Sequence, residues 1–149
     1  MEVFIGADYK GIEKKVKLTG FLIEKNYEVI EQGSNDEKNN LDFNDAAIEI
    51  SLSVRENRGS RGILICDSAH GMTMQANRFK GIRAANCDSP ESARLAREHD
   101  DANVLCMSAG LMDLETMKDV ATVFLETDFE PLERRVRRIN RLDEREDYD

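Results

Sequence analysis

The sequence predicts an α/β fold: one doubly wound domain over residues 1–149, with a five-stranded parallel sheet, helices on both faces and a C-terminal helix. Short apolar runs alternate regularly with segments in which apolar residues recur at helical spacing. The apolar runs are continuous rather than alternating, which is typical of parallel strands buried on both faces. A hydrophobic fraction of 40% over 149 residues is enough for one compact core.

The first half of the chain contains three predicted strands and two predicted helices. Asp42 precedes the second helix as a possible N-cap, and the polar stretch 33–40 before it is a predicted loop. In chain order, the elements are a strand at 2–5, a helix at 12–23, a strand at 27–31, a helix at 43–54 and a strand at 62–65.

The second half continues the same alternation. Ser89 and Pro90 are a good helix start, with serine as the N-cap and proline at the first helical position. In chain order, the elements are a helix from 72, a strand at 81–85, a helix at 90–99, a strand at 103–107, a helix at 114–124 and a charged C-terminal helix from 131.

The expected topology brings two polar positions together. A flavodoxin-like, or Rossmann-like, strand order of 2-1-3-4-5 places the first and third strands side by side at the switch point, where open α/β sheets bind ligands at the carboxyl ends of their strands. Asp8 follows the first strand and Cys66 ends the third. We therefore expect Asp8 and the turn after Cys66 to share one crevice.

Composition excludes several classes of partner. The chain has 21 Lys and Arg against 30 Asp and Glu, and its net charge of −9 argues against nucleic acid or an anionic membrane as the main partner. It shows no signal peptide and no apolar run near the ~18 residues of a membrane span. Three widely spaced cysteines favour reduced thiols over a disulfide framework or a zinc site. We expect a cytoplasmic protein with a small-molecule ligand.

Cys66 is the sharpest candidate for chemistry. A cysteine at a strand end that faces a helix N-terminus is expected to have a depressed pKa and can act as a base or nucleophile. The alternative is a small apolar residue that fills the sheet, which is the interpretation favoured for Cys87 and Cys106.

Other polar residues carry weaker signals. His70 lies in the turn after Cys66 and could contact a ligand, whereas His99 closes a helix, where a histidine is more often a cap partner. Two histidines so placed predict no metal site. Arginines of the last helix, including Arg134 and Arg135, could form an anion clamp, but a solvated charged face explains most of them.

Four segments resemble the family of ribose-5-phosphate isomerase type B and galactose-6-phosphate isomerase. They are 6–8, 62–66, 76–84 and 98–104, and the resemblance covers nearly the whole chain. It implies a flavodoxin-like dimer or tetramer with active sites shared between subunits. It also implies aldose–ketose isomerisation of a sugar or sugar phosphate through an enediolate, as in pentose phosphate metabolism, without a metal or other cofactor.

The resemblance also assigns roles to individual residues. Cys66 matches the base that moves the proton between C1 and C2, Ser68 a hydroxyl that shuttles the second proton, His99 the residue that opens the sugar ring, and Asp8 a ligand-contacting carboxylate. The backbone of 67–71 matches the anion hole for the enediolate. The expected substrate contacts are Tyr9, Asp67, Ala69, His70, Gly71, Asp100, Arg134 and Arg135.

The chain departs from the family pattern around the expected phosphate. Tyr9 replaces a histidine, Asp100 an asparagine, and Asp67–Gly71 a glycine-rich turn of which only the last glycine remains. The Gly-Gly-Arg-His that opens the family's last helix is absent. Added carboxylates weaken the binding of a phosphate dianion, so the expected substrate is a sugar or sugar phosphate and is not restricted to a standard pentose 5-phosphate.

Two alternatives to an active isomerase stay open. One is a non-catalytic subunit or sugar-binding relative of a heteromeric isomerase, which the altered turn favours. The other is a generic flavodoxin-like nucleotide or regulator domain. The lack of a phosphate-loop pattern and the long match at 76–84 count against that second alternative.

Overall fold

The computed structural model describes residues 1–33 and 42–144, so the loop predicted at 33–40 lies outside the described residues from position 34 onward. Strands alternate with helices up to the last two helices, which follow one another. The elements are β1 (Glu2–Ala7), α1 (Ile12–Glu24), β2 (Glu28–Glu31), α2 (Phe43–Glu56), β3 (Arg61–Cys66), α3 (His70–Ala76), β4 (Ala84–Asn86), α4 (Pro90–Asp100), β5 (Val104–Ser108), α5 (Leu114–Glu126) and α6 (Glu133–Asp143).

The five strands form one parallel sheet, which confirms the predicted fold class. Their order is β2-β1-β3-β5-β4, so the expected order 2-1-3-4-5 is wrong in its last two positions. Every residue of β5 is buried, whereas the three residues of β4 are partly exposed or exposed. The apolar β5 therefore takes the central place beside β3, and the short β4 forms the edge.

The boundaries of β4 also differ from the prediction of a strand at 81–85. Gly81 has a positive φ of 83°, and the N–H of Ile82 donates to the carbonyl of Phe79, so these residues form a turn before the strand. Asn77 holds the backbone of Ala84 at the outer edge of the sheet. The side-chain amide of Asn77 accepts a hydrogen bond from the N–H of Ala84 (2.8 Å) and donates one to the carbonyl of Ala84 (2.9 Å). A side chain thus takes the place of a further strand.

The side chains of alternate strand residues pack into two apolar layers, one on each face of the sheet. Ile63 and Ile65 of β3 face the layer covered by α1, α4 and α5, while Leu64 and Cys66 face the layer covered by α2 and α3. This alternation is the two-residue period of a strand with both faces buried. Cys87 and Cys106 are buried in these layers, as their interpretation as core residues predicts.

Helix starts follow the local sequence. Ser89 accepts a hydrogen bond from the N–H of Ser92 (3.1 Å) with Pro90 at the first helical position, and Asp42 is the N-cap of α2. The last helix, α6, buries Ile139, and most of its other residues are charged and exposed. Within the described residues, none of the helices combines the length and the apolar character that crossing a bilayer requires.

Gly11 holds the β1–α1 connection against β3. A Cβ at this position would lie 2.3 Å from the carbonyl oxygen of Ile65, a backbone atom that cannot move aside. We expect Gly11→Ala to lower the free energy of unfolding by about 2–4 kcal/mol, measured by urea denaturation.

Gly20 supplies the matched control, because it lies within α1 and a Cβ there meets no atom within 4 Å. Gly20→Ala should raise the free energy of unfolding by about 0.5–1 kcal/mol through helix propensity. Equal effects of the two substitutions would contradict this account.

Candidate active site

The carboxyl ends of β1 and β3 meet, as the topology predicted. Ala7 pairs with Ile65 in the sheet, and the N–H of Asp8 donates to the carbonyl of Ile65 at 3.2 Å. Asp8 and Tyr9 therefore lie beside Cys66, the last residue of β3. The charge of Asp8 is close enough to influence the thiol of Cys66.

Cys66 is 4% exposed, and its Sγ accepts a hydrogen bond from the N–H of Ala69 at 3.1 Å. Burial raises the pKa of Cys66. The N–H of Ala69 lowers it by a smaller amount, and the Asp8 carboxylate raises it further. The expected depressed pKa is therefore wrong. Desolvation and a neighbouring carboxylate outweigh the N–H donors of α3, a helix of only seven residues.

The turn between β3 and α3 is shaped by a left-handed residue. Ala69 has φ 67° and ψ −3°, a conformation that favours glycine and costs a residue with a Cβ on the order of 1 kcal/mol. This conformation aims the Ala69 N–H at Cys66. The N–H of His70 donates to the hydroxyl of Ser68 at 3.4 Å. The turn thus keeps a donor on the sulfur although Asp67 and Ala69 stand where the family pattern has glycines.

The end of β5 is part of this site, and the sequence analysis missed it. The N–H of Ala109 donates to the Cys66 carbonyl (2.7 Å), the N–H of Gly110 to the Asp67 carbonyl (2.9 Å), and the hydroxyl of Ser108 also donates to the Asp67 carbonyl. The miss follows from the wrong strand order, which placed β4 next to β3. The wholly apolar composition of 104–107 was the signal that could have corrected it.

Charged side chains lie at the mouth of the crevice between β1 and β3. The Asp8 carboxylate accepts from the N–H groups of Lys10 and Gly11, each at 3.1 Å, and burial raises the pKa of Asp8 more than these bonds lower it. Nζ of Lys10 lies 3.4 Å from Oδ2 of Asp67. Lys10 is a second residue that the sequence analysis missed; its place two positions after Asp8 was the available signal.

His70 points toward β4. Its Nδ1 lies 3.2 Å from Nδ2 of Asn86, and both residues line a cavity of about 510 Å³ together with Ser68. The cavity continues along the residues that follow β4 and β5, among them Asp88 and Asp113. Ser68 and His70 therefore face this cavity from the turn that carries Cys66.

The remaining predicted site residues lie at the opposite end of the sheet. His99 and Asp100 end α4, which runs back from the carboxyl end of β4 to the amino end of β5. Arg135 donates to the carbonyl of Glu98 at 3.2 Å, which places the start of α6 there as well. Val104 pairs with Gly62, and the strand from Gly62 to Cys66 spans about 13 Å.

The predicted site is therefore split into two halves within one chain. Asp8, Tyr9 and Cys66–Gly71 form the carboxyl-edge half. His99, Asp100, Arg134 and Arg135 belong to the other half, where Arg135 also pairs with Glu130 at 2.8 Å and Arg134 is exposed. In the part of the chain that the structure describes, no group of three or more His, Cys, Asp or Glu side chains could hold a metal ion.

Comparison with known proteins gives consistent matches over nearly the whole chain. Residues 3–142 match the family model described as Ribose/Galactose Isomerase. The chain is 33% identical over 129 residues to ribose-5-phosphate isomerase B of Escherichia coli, covering 87% of this chain and 86% of that protein.

Solved structures agree with this match. A ribose 5-phosphate isomerase from Thermotoga maritima superposes with a TM-score of 0.92 at 37% identity, covering 97% of this chain and 98% of the other. Ribose-5-phosphate isomerase B from Mycoplasma genitalium, solved with bound ribulose-5-phosphate, gives a TM-score of 0.91 at 35% identity, covering 95% and 93%.

Proposed function

This chain belongs to the ribose/galactose isomerase family, and we propose that it interconverts an aldose and a ketose sugar phosphate through an enediolate, with Cys66 as the base. The substrate class rests on the relatives, one of which was solved with ribulose-5-phosphate. Removal of the C2 proton by the Cys66 thiolate leaves an enediolate. Donation of a proton from the thiol to C1, with transfer of the O2 hydroxyl proton to O1, completes the isomerisation, and exchange of the thiol proton with solvent labels the sugar in deuterated water.

The observation that carries the proposal is the environment of Cys66. Its sulfur accepts the N–H of Ala69 and lies near Asp8, at the switch point where such sheets bind ligands. A raised thiol pKa makes a stronger base, though a smaller fraction of it is ionised at neutral pH. The backbone N–H groups of the 67–71 turn are the candidate donors to the enediolate, and Ser68 the group that moves the hydroxyl proton.

A dimer or tetramer with shared sites forms part of the proposal, because one chain holds its two half-sites at opposite ends of the sheet. In an assembly, His99 and Asp100 of one copy would face Cys66 of another. The arginines that start α6 would then approach the substrate from the second copy. In this arrangement, His99 would open the sugar ring and Arg134 would contact the phosphate.

We also propose that residues 1–149 act as a single isomerase domain in the cytoplasm. The family match across 3–142 supports the first point. The three buried, free cysteines support the second, because free thiols are typical of a reducing compartment.

The pH dependence of proton exchange tests the base. Because the thiol must lose its proton and burial raises the pKa of Cys66 above its ordinary value of 9.0, we expect exchange at C2 of ribose 5-phosphate in deuterated water to rise about tenfold per pH unit from neutral pH and to level off only above pH 9. Asp8→Asn removes a charge that raises this pKa, so its profile should level off at a lower pH.

The thiolate absorbance of Cys66 is measured as the difference between a protein that has Cys66 and the same protein with Cys66→Ala. In the wild type and in Asp8→Asn, this absorbance should rise over the same pH range as the rate of exchange. A profile that is flat from neutral to alkaline pH would rule out the thiol as base. No exchange with any pentose phosphate or hexose phosphate would favour the non-catalytic subunit instead, which the carboxylate at position 67 also supports.

A further inference from the structure

Asp67 places a carboxylate directly after the proposed base, and Lys10 is the cation that contacts it. Oδ2 of Asp67 lies 3.4 Å from Nζ of Lys10. Lys10 follows β1 and Asp67 follows β3, and these strands are neighbours in the sheet. The pair therefore spans the mouth of the crevice in which Cys66 and Asp8 lie.

The backbone of Asp67 is fixed while its side chain is loosely held. Its carbonyl accepts from the N–H of Gly110 and from the hydroxyl of Ser108. Its carboxylate lies over Gly110, where a Cβ would come within 2.5 Å of Oδ1. The carboxylate thus fills the space that a side chain at position 110 would take.

The ion pair itself is weak. The side chains of Lys10 and Asp67 are 48% and 60% exposed, and one long contact joins them, so water and salt screen their attraction. Lys14, the next lysine along the chain, contacts backbone carbonyls instead of a carboxylate. Its ammonium donates to the carbonyls of Ala109 (2.7 Å) and Met112 (2.5 Å) and holds the β5–α5 connection. An incoming anion can therefore reach Lys10, unlike Lys14, without breaking backbone contacts.

We propose that Asp67 is a built-in competitor for the phosphate of the substrate: it occupies Lys10 in the free protein, and the phosphate of a bound sugar takes its place. The proposal rests on the proposed function, because it concerns the same crevice. Asp67 then determines specificity by lowering the affinity for phosphorylated sugars and leaving that for unphosphorylated sugars nearly unchanged. A phosphate dianion carries more charge than a carboxylate and can displace it from an exposed ammonium.

Inorganic phosphate is the first probe, titrated calorimetrically into the Cys66→Ala protein so that turnover plays no part. We expect Asp67→Asn, which keeps the shape and removes the charge, to tighten phosphate binding about tenfold. Lys10→Met should weaken it about tenfold and should cancel the gain when combined with Asp67→Asn. The matched control is Glu13→Gln, which removes an exposed carboxylate from an ion pair with Lys17 on the surface of α1; it should change the dissociation constant less than twofold.

The second probe compares substrates in the active background. Asp67→Asn should raise the ratio of kcat/KM for ribose 5-phosphate over ribose about tenfold. Phosphate affinities that stay within twofold in both Asp67→Asn and Lys10→Met would overturn the proposal even if the protein proves to be an isomerase. Tighter phosphate binding in Asp67→Asn without any turnover would leave it standing and count against the proposed function instead.

Discussion

We expect Cys66→Ala to slow proton exchange at C2 of the substrate about a thousandfold or more, because general-base catalysis of this kind contributes about 10²–10⁴-fold. The substitution removes the sulfur that accepts the Ala69 N–H and leaves the carboxyl-edge turn otherwise fixed by β5. Exchange measured by proton NMR in deuterated water checks this, because it reports the proton transfer even when product does not accumulate.

The matched control is Cys87→Ala. Cys87 is also buried, and burial also raises its pKa, but its thiol faces the opposite layer of the core. This variant should lose stability through the cavity that it creates and keep its rate of exchange per folded molecule. Full exchange in Cys66→Ala would assign the base elsewhere, with Asp8, whose charge acts on the Cys66 thiol, as the candidate.

We expect refolding of an equal mixture of Cys66→Ala and His99→Asn chains to restore about a quarter of the wild-type activity, whereas each variant alone should be inactive. The two residues lie at opposite ends of one sheet, so a site that uses both must draw on two copies. Random pairing makes half of the dimers mixed, and each mixed dimer contains one site with both residues intact. Steady-state isomerisation after co-refolding gives the measurement.

The control mixes two variants from the same half-site, Cys66→Ala and Asp8→Asn. No mixed dimer then contains an intact carboxyl-edge half, so activity should be about half that of the Asp8→Asn protein alone. A mixture of Cys66→Ala and His99→Asn that stays inactive would mean that His99 does not complete the site of another copy.

The fold class could be predicted because its signals are local. Each signal lies within a short segment of the chain, whether it is a continuous apolar run, helical spacing or a cap residue such as Ser89 or Asp42. The structure contains the element that each of these signals predicts. The strand order could not be predicted in this way, because it depends on which strand has the more apolar faces to bury. The strand order follows from the greater burial of Val104–Ser108 compared with Ala84–Asn86, and these two segments are separate in the sequence.

The parts of the site that directly follow one strand could be predicted from the sequence. The parts that depend on contacts between distant segments could not. Asp8 and Cys66 were brought together by the topology alone. The pKa of Cys66 was missed because the sequence shows the N–H groups of the following helix but not the depth of burial that opposes them. Lys10 and Gly110 were missed because their importance comes from Asp67, which contacts one and covers the other.

Asn77 has a consequence for how copies of this chain can associate. By satisfying both backbone groups of Ala84, its amide closes the exposed border of the sheet at that residue. Open borders are where chains join into continuous sheets and begin to aggregate. Addition of a further strand at Ala84 is therefore blocked by one side chain, which disfavours association of copies through the β4 border of the sheet.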